Sequence, residues 1–130
     1  MSTVLYILLG IFMVFMAIRF ALTMSMKRKK GQPAPDLSGK AGKVIRQGKK
    51  ALFYFYGPTC PPCVQMSPIV DKMADKYQNI FKIDVSKDMS ISRQFGVLGT
   101  PSLVLVENGK IVDFIMGPQG EKALERILNK

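Results

Sequence analysis

The chain opens on an almost unbroken apolar run. Thr3 to Ile18 carries no charge, Arg19 interrupts the run, and Phe20-Ala21-Leu22 resumes it. A bilayer core of about 30 Å calls for about 20 helical residues. Residues 3–22 supply them, with Arg19 near one end, where a long side chain can snorkel to the interface. A helix this apolar on every side is more than so small a protein can bury. A cleavable signal would carry a basic start and a small-residue cleavage site. Met1-Ser2-Thr3 has no basic side chain, and Ala17-Ile18-Arg19 and Ala21-Leu22-Thr23 are poor sites. A retained membrane anchor over residues 1–26 is the expectation.

Beyond the anchor the pattern alternates between strand and helix. Gly31-Gln32-Pro33-Ala34-Pro35 predicts an extended linker, because each proline disfavours helix in the residue before it. Ser38 to Gly48 predicts a helix, capped by Ser38, ended by Gly48, and burying Val44 and Ile45. Ala51-Leu52-Phe53-Tyr54-Phe55-Tyr56 is continuous enough for a strand buried on both faces. After Gly57-Pro58-Thr59, the residues Val64, Met66, Ile69, Val70, Met73, Ala74 and Tyr77 recur at helical spacing. A strand at 80–85 and a short helix from Ser86 to Phe95 follow, the latter with Met89, Ile91 and Phe95 in the core. Two further strands, 102–107 and 110–116, flank Asn108-Gly109, the strongest short hairpin signal. A last helix, Gly120 to Leu128, turns Ala123, Leu124, Ile127 and Leu128 inward. The order implies an α/β fold with a mixed sheet. Strands 50–56 and 80–85 run parallel across the intervening helix, and the hairpin is antiparallel. The organisation is an anchor (1–26), a basic juxtamembrane segment with a Pro-containing linker (27–37), and one folded domain (38–130).

Charge sharpens the picture of the linker. The net charge is +10, from 19 basic and 9 acidic side chains. The excess precedes the domain. Lys27-Arg28-Lys29-Lys30 directly follows the apolar run, and from Ala51 onward the two signs nearly cancel. Basic residues flanking a span stay in the cytoplasm. That places the N-terminus outside and the domain inside, with the basic run resting on anionic headgroups. No aromatics are interleaved with these charges, so nucleic-acid binding is not expected.

Candidate chemistry sits in Cys60-Pro61-Pro62-Cys63, which holds the chain's 2 cysteines, between a strand end and a helix start. The first-turn N–H groups of a helix are unpaired and its dipole is positive there, so a thiolate is stabilised. The spacing lets the second thiol attack a mixed disulfide made by the first. Other readings are an inert pair, a stabilising bridge, or an iron–sulfur cluster shared between two chains. A bridge over two residues constrains the unfolded chain little. With no histidine in the chain, His-based triads and Cys/His zinc sites are excluded, and no metal site is expected. A second signal is Gly99-Thr100-Pro101 ahead of a strand, where proline implies an edge strand or a special turn such as a cis bond.

From about Ser38 to Lys130 this order resembles the thioredoxin family. The resemblance rests on Cys60 and Cys63, Thr100-Pro101, Asn108-Gly109 and Gly117. It implies a thioredoxin-like fold and a dithiol that reduces protein disulfides, with Cys60 as nucleophile and Cys63 as resolving thiol. It implies a cis Pro101 beside the cysteines, with the Thr100 backbone as a substrate-docking edge. It implies no cofactor, only an electron-donating reductase. The chain departs from the family pattern at Thr59, where a Trp is usual, and at Pro61-Pro62, where Gly-Pro is usual. The family's buried Asp aligns with Tyr54, and its Lys neighbour with Lys82. Tyr54, Thr59, Pro61, Pro62 and Lys82 are therefore the expected tuning positions. The alternatives are an extracytoplasmic enzyme of cytochrome maturation or disulfide formation, and a non-catalytic assembly subunit.

Overall fold

The computed structural model describes residues 1–28 and 30–129, without the side chains of Met26 and Lys27. Lys29 of the basic run and Lys130 at the domain's end lie outside the described residues. Helix α1 spans Ser2–Lys27. Its stretch Ser2–Ser25 has a mean hydropathy of 2.4, and its apolar window has no buried residue. It is long and apolar enough to cross a membrane.

The domain is built on strand β1, Ala51–Tyr56. Successive side chains of a strand point to opposite faces, and here both faces are covered. Phe53 and Phe55 pack with helices α2 (Gly39–Arg46) and α4 (Met89–Phe95), against Val44, Ile45 and Phe95. Leu52 and Tyr54 face helices α3 (Pro61–Lys76) and α5 (Glu121–Leu128), against Met66, Val70, Met73, Leu124 and Ile127. The result is three layers, helices on each side of one sheet. The sheet order is β2-β1-β3-β4, with β2 at Ile80–Asp84, β3 at Ser102–Glu107 and β4 at Lys110–Met116. β1 runs parallel to β2 and antiparallel to β3, as expected for a strand-helix-strand crossover followed by a hairpin. The hairpin turns on Asn108 (φ 54°) and Gly109 (φ 72°), the two positive φ values that a two-residue type I′ turn requires.

Several expectations shift. Ser38 sits at the N-cap of α2, but its side chain makes no capping hydrogen bond. The far end stops as expected. The Gly48 and Lys49 N–H groups donate back to the Ile45 and Val44 carbonyls, the paired bonds of a Schellman ending. Helix α4 begins at Met89 rather than Ser86, because the Asp84 carboxylate accepts both the Ser86 N–H (2.9 Å) and the Ser86 hydroxyl (2.6 Å). That turn holds residues 84–88 out of the helix. Met89, expected in the core, is 52% exposed at the helix start. Pro101 does not mark an edge strand. β3 is interior, and the proline's missing N–H is accommodated by a turn.

The linker is extended, and it joins the sheet. Pro33 bridges Lys110 in antiparallel fashion. The Gly31 N–H donates to the Ile111 carbonyl (2.6 Å), the Ile111 N–H to the Gln32 carbonyl (2.9 Å), and the Ala34 N–H to the Gly109 carbonyl (2.8 Å). Lys30 Nζ lies 2.9 Å from the Asp113 carboxylate. Leu37 is buried in the core beside α2, and Arg46 donates to its carbonyl at 3.0 Å.

Candidate active site

β1 ends at Tyr56, and Gly57-Pro58-Thr59 carries the chain to Cys60, the N-cap of α3. Pro61 and Pro62 occupy the first two helical positions, where a missing N–H removes no hydrogen bond. Both are exposed, as is Thr59. The extended backbone at Cys60 (φ −91°, ψ 108°) turns its sulfur back over the helix end, where Sγ accepts the Cys63 N–H at 3.3 Å. Cys60 and Cys63 form a disulfide with Cα atoms 5.2 Å apart. Cys60 is partly exposed, whereas Cys63 is 2% exposed. The helix end thus offers an N–H donor and a positive dipole to the outer sulfur, the one a partner can reach.

The Thr100–Pro101 peptide is cis. Its loop is held at both sides. The Ser102 hydroxyl donates to the Gly99 carbonyl (2.6 Å), and the Gly117 N–H to the Pro101 carbonyl (2.9 Å). Gly57 has the Thr100 hydroxyl and Cys60 Cβ as neighbours. A Cβ there would lie 3.7 Å from one and 3.8 Å from the other. The cis-proline loop therefore stands beside the outer cysteine. Among the described residues, no backbone hydrogen bond engages the Thr100 N–H or carbonyl. A groove of about 350 Å³ continues from Thr100 between α4 and the loop, lined by Val85, Met89, Val97 and Leu98, with Arg93 at its side.

Beneath the disulfide, Tyr54 is fully buried. Its hydroxyl lies 3.4 Å from the Cys63 carbonyl, to which it donates, and 3.0 Å from the Ser67 hydroxyl. Burial raises its pKa above the ordinary tyrosine value, against smaller opposing effects of the Ser67 bond and the Lys82 charge. It is neutral at physiological pH, a hydrogen-bond donor and no base. Lys82 is the register partner of Tyr54 in the parallel pair, but its ammonium turns to Asp71 of α3 (2.7 Å) and over the Tyr56 ring (5.0 Å). The structure thus brings Tyr54 to Cys63 and occupies Lys82 elsewhere. Ser67 was not foreseen. Its spacing of four from Cys63, on one helix face, is the signal that could have found it. Among the described residues, no three His, Cys, Asp or Glu side chains converge as a metal site.

Comparison with known proteins agrees with this geometry. The thioredoxin family model matches residues 40–130. Thioredoxin of Porphyra purpurea is 32% identical over 90 residues, which cover 67% of this chain and 84% of that one. A bifunctional thioredoxin reductase/thioredoxin of Mycobacterium leprae is 30% identical over 89 residues, 66% of this chain and 19% of that one. Oxidised mitochondrial thioredoxin 3 of Saccharomyces cerevisiae superposes with a TM-score of 0.58 at 30% identity, covering 68% of this chain and 85% of the other. A dithiol closed at a helix N-terminus beside a cis proline, on a sheet of this order and with relatives of this kind, makes the chain a thiol–disulfide oxidoreductase that belongs to the thioredoxin family.

Proposed function

We propose that this protein reduces protein disulfides from a membrane tether. The observation that carries the reading is the Cys60–Cys63 pair at the start of α3, with the outer sulfur accessible and the inner one covered. In the reduced form, the Cys60 thiolate attacks one sulfur of a substrate disulfide. A Cys60–substrate bond forms and the substrate's other sulfur leaves as a thiolate. The Cys63 thiolate then attacks the Cys60 sulfur. The internal disulfide closes, and the substrate's second sulfur departs. Two electrons pass from the dithiol to the substrate. A reductase returns them, and the Mycobacterium leprae relative, which joins a thioredoxin reductase to a thioredoxin, supports a donor of that class. The free Thr100 backbone groups dock the substrate chain as an added strand, beside Pro101. Thr59, Pro61 and Pro62 present the outer sulfur. Tyr54 tunes the resolving thiol by holding the Cys63 carbonyl, and Lys82 acts on that site only through its charge.

In this reading α1 is the anchor of a single-pass protein, oriented with the N-terminus outside and the domain in the cytoplasm. The uncharged side chains at 1–3 and the basic run at 27–30 support that orientation. The same run rests on anionic headgroups.

Trapping tests the chemistry. Cys63→Ser leaves attack intact and removes resolution, so substrates accumulate as mixed disulfides on Cys60. Cys60→Ser traps nothing. An acid-quenched Cys63→Ser protein that carries no disulfide-linked partner and reduces no insulin in a single turnover defeats the proposal. Partners held by Cys60→Ser instead would reverse the roles of the two cysteines.

A further inference from the structure

We infer that the linker pins the domain with its dithiol end against the bilayer, so that the partner cysteines are those of membrane proteins held at the headgroup layer. This rests on the reading of α1 as a membrane span. The contacts between the tether and β4 follow one order. Ala34 pairs with Gly109, Gly31 with Ile111, and Lys30 with Asp113. Beyond them Arg19, Leu22 and Thr23 of α1 share a hollow of about 570 Å³ with Phe114, Ile115 and Met116. Moving back along the chain toward the span is therefore moving forward along β4 toward Met116.

That end of β4 is the dithiol end of the sheet. Met116 is the register partner of Ser102, and Ser102 of Phe55, one residue before the last of β1. Met116 Sδ would lie 3.4 Å from a Cβ at Gly99, and the next residue, Gly117, donates to the Pro101 carbonyl. A continuous path runs from α1 through Met116 and the cis-proline loop to Cys60. Arg19 marks where the apolar run meets the interface, and it lines the same hollow as Met116. The rim at this end is correspondingly apolar: Val64, Leu98, Met89 and Met116 are 68%, 56%, 52% and 45% exposed. Three backbone hydrogen bonds and an ion pair fix the orientation, where a free tether would let the domain tumble. A soluble protein disulfide has to enter between this rim and the headgroups. A cysteine carried just above a membrane span already lies there.

Two measurements on the full-length chain test this. In the first, Cys60 and Cys63 are replaced by serine, and a fluorophore is placed on Val64→Cys or Gln78→Cys. Both sites are exposed, and they lie at opposite ends of the sheet. In vesicles of phosphatidylcholine and phosphatidylglycerol bearing a headgroup nitroxide, the label at 64 is expected to be quenched more strongly. Equal quenching, or stronger quenching at 78, overturns the orientation. The second uses the reduced native dithiol with a pyridyl disulfide on phosphatidylethanolamine, and with the same group on a water-soluble carrier. Cys60 displaces pyridine-2-thione, which is read by its absorbance, and Cys63 then releases the lipid thiol. Gly31→Pro with Ala34→Pro removes two donors of the tether. It should slow the lipid-linked reaction on the order of tenfold, through lost effective concentration, and leave the soluble reaction unchanged. Equal slowing of both, or of neither, overturns the inference. Failure of the protein to float with the vesicles is a separate result. It removes the membrane anchor itself.

Discussion

Tyr54, buried beneath the dithiol, serves there as a hydrogen-bond donor. Its phenol holds the Cys63 carbonyl and Ser67 and cannot accept a thiol's proton at neutral pH. Tyr54→Phe should cost about 1 kcal/mol in urea unfolding, the scale of a lost net hydrogen bond. The pH dependence has a definite sign. Burial raises the folded pKa, so the folded chain holds the phenolic proton more tightly than the unfolded one. That stability is full below pH about 10 and is lost as pH rises beyond it. Wild type should therefore lose stability above pH about 10 more steeply than Tyr54→Phe, and equal slopes would contradict the assignment. Asp84 has the opposite sign. The Ser86 hydroxyl and N–H hold its pKa below the ordinary carboxylate value. Its contribution is present above pH about 4 and is lost as pH falls through the folded value, so Asp84→Asn should flatten the acid limb of the stability curve. At the dithiol, iodoacetamide at pH about 7 should alkylate Cys60 well before Cys63 in the reduced protein, because only the outer sulfur is both accessible and set on the helix dipole.

Helices and strands were legible wherever burial follows a simple period. β1, with every residue but Tyr56 buried, and the Asn108-Gly109 hairpin lie where their patterns put them. The start of α4 was not legible, because a single side chain, Asp84, competes with the helix for the Ser86 N–H, and periodicity carries no trace of that competition. The misplacement of Met89 follows from the same turn. Of the site, the cysteines and Pro101 could be read directly, whereas the Tyr54–Ser67 contact needed the crossing of two elements. That crossing depends on packing beneath α3. Met66→Ala, at a side chain only 1% exposed, should cost about 2–5 kcal/mol and loosen the helix that carries the dithiol. Gly96 ends α4 at φ 74°, and Gly96→Ala there should cost on the order of 1 kcal/mol. Both are measurable by denaturant midpoint at constant slope.

Across the whole molecule, the apolar run and the basic flank were plain in the sequence, but the fate of the linker was not. Its prolines announced an extended chain. Its pairing with β4 is a long-range contact that no local pattern encodes. The proposed orientation predicts that alkaline phosphatase fused at the C-terminus is inactive in bacterial cells while a green fluorescent fusion glows. An active phosphatase would put the domain on the other side. Neutralising Lys27 to Lys30 should weaken that bias, as read by the same pair of fusions. The linker has one more effect, on how copies of the chain meet. An open sheet has two edges, and each is a template on which another chain can polymerise. Here the start of the β4 edge, from Gly109 to Ile111, is taken by the chain's own backbone. The edge at β2 is five residues long and carries Lys82 and Asp84, a short and charged rail that resists strand addition. Crowded side by side on the proposed anchor, such chains can collide often with both of these stretches closed to strand addition.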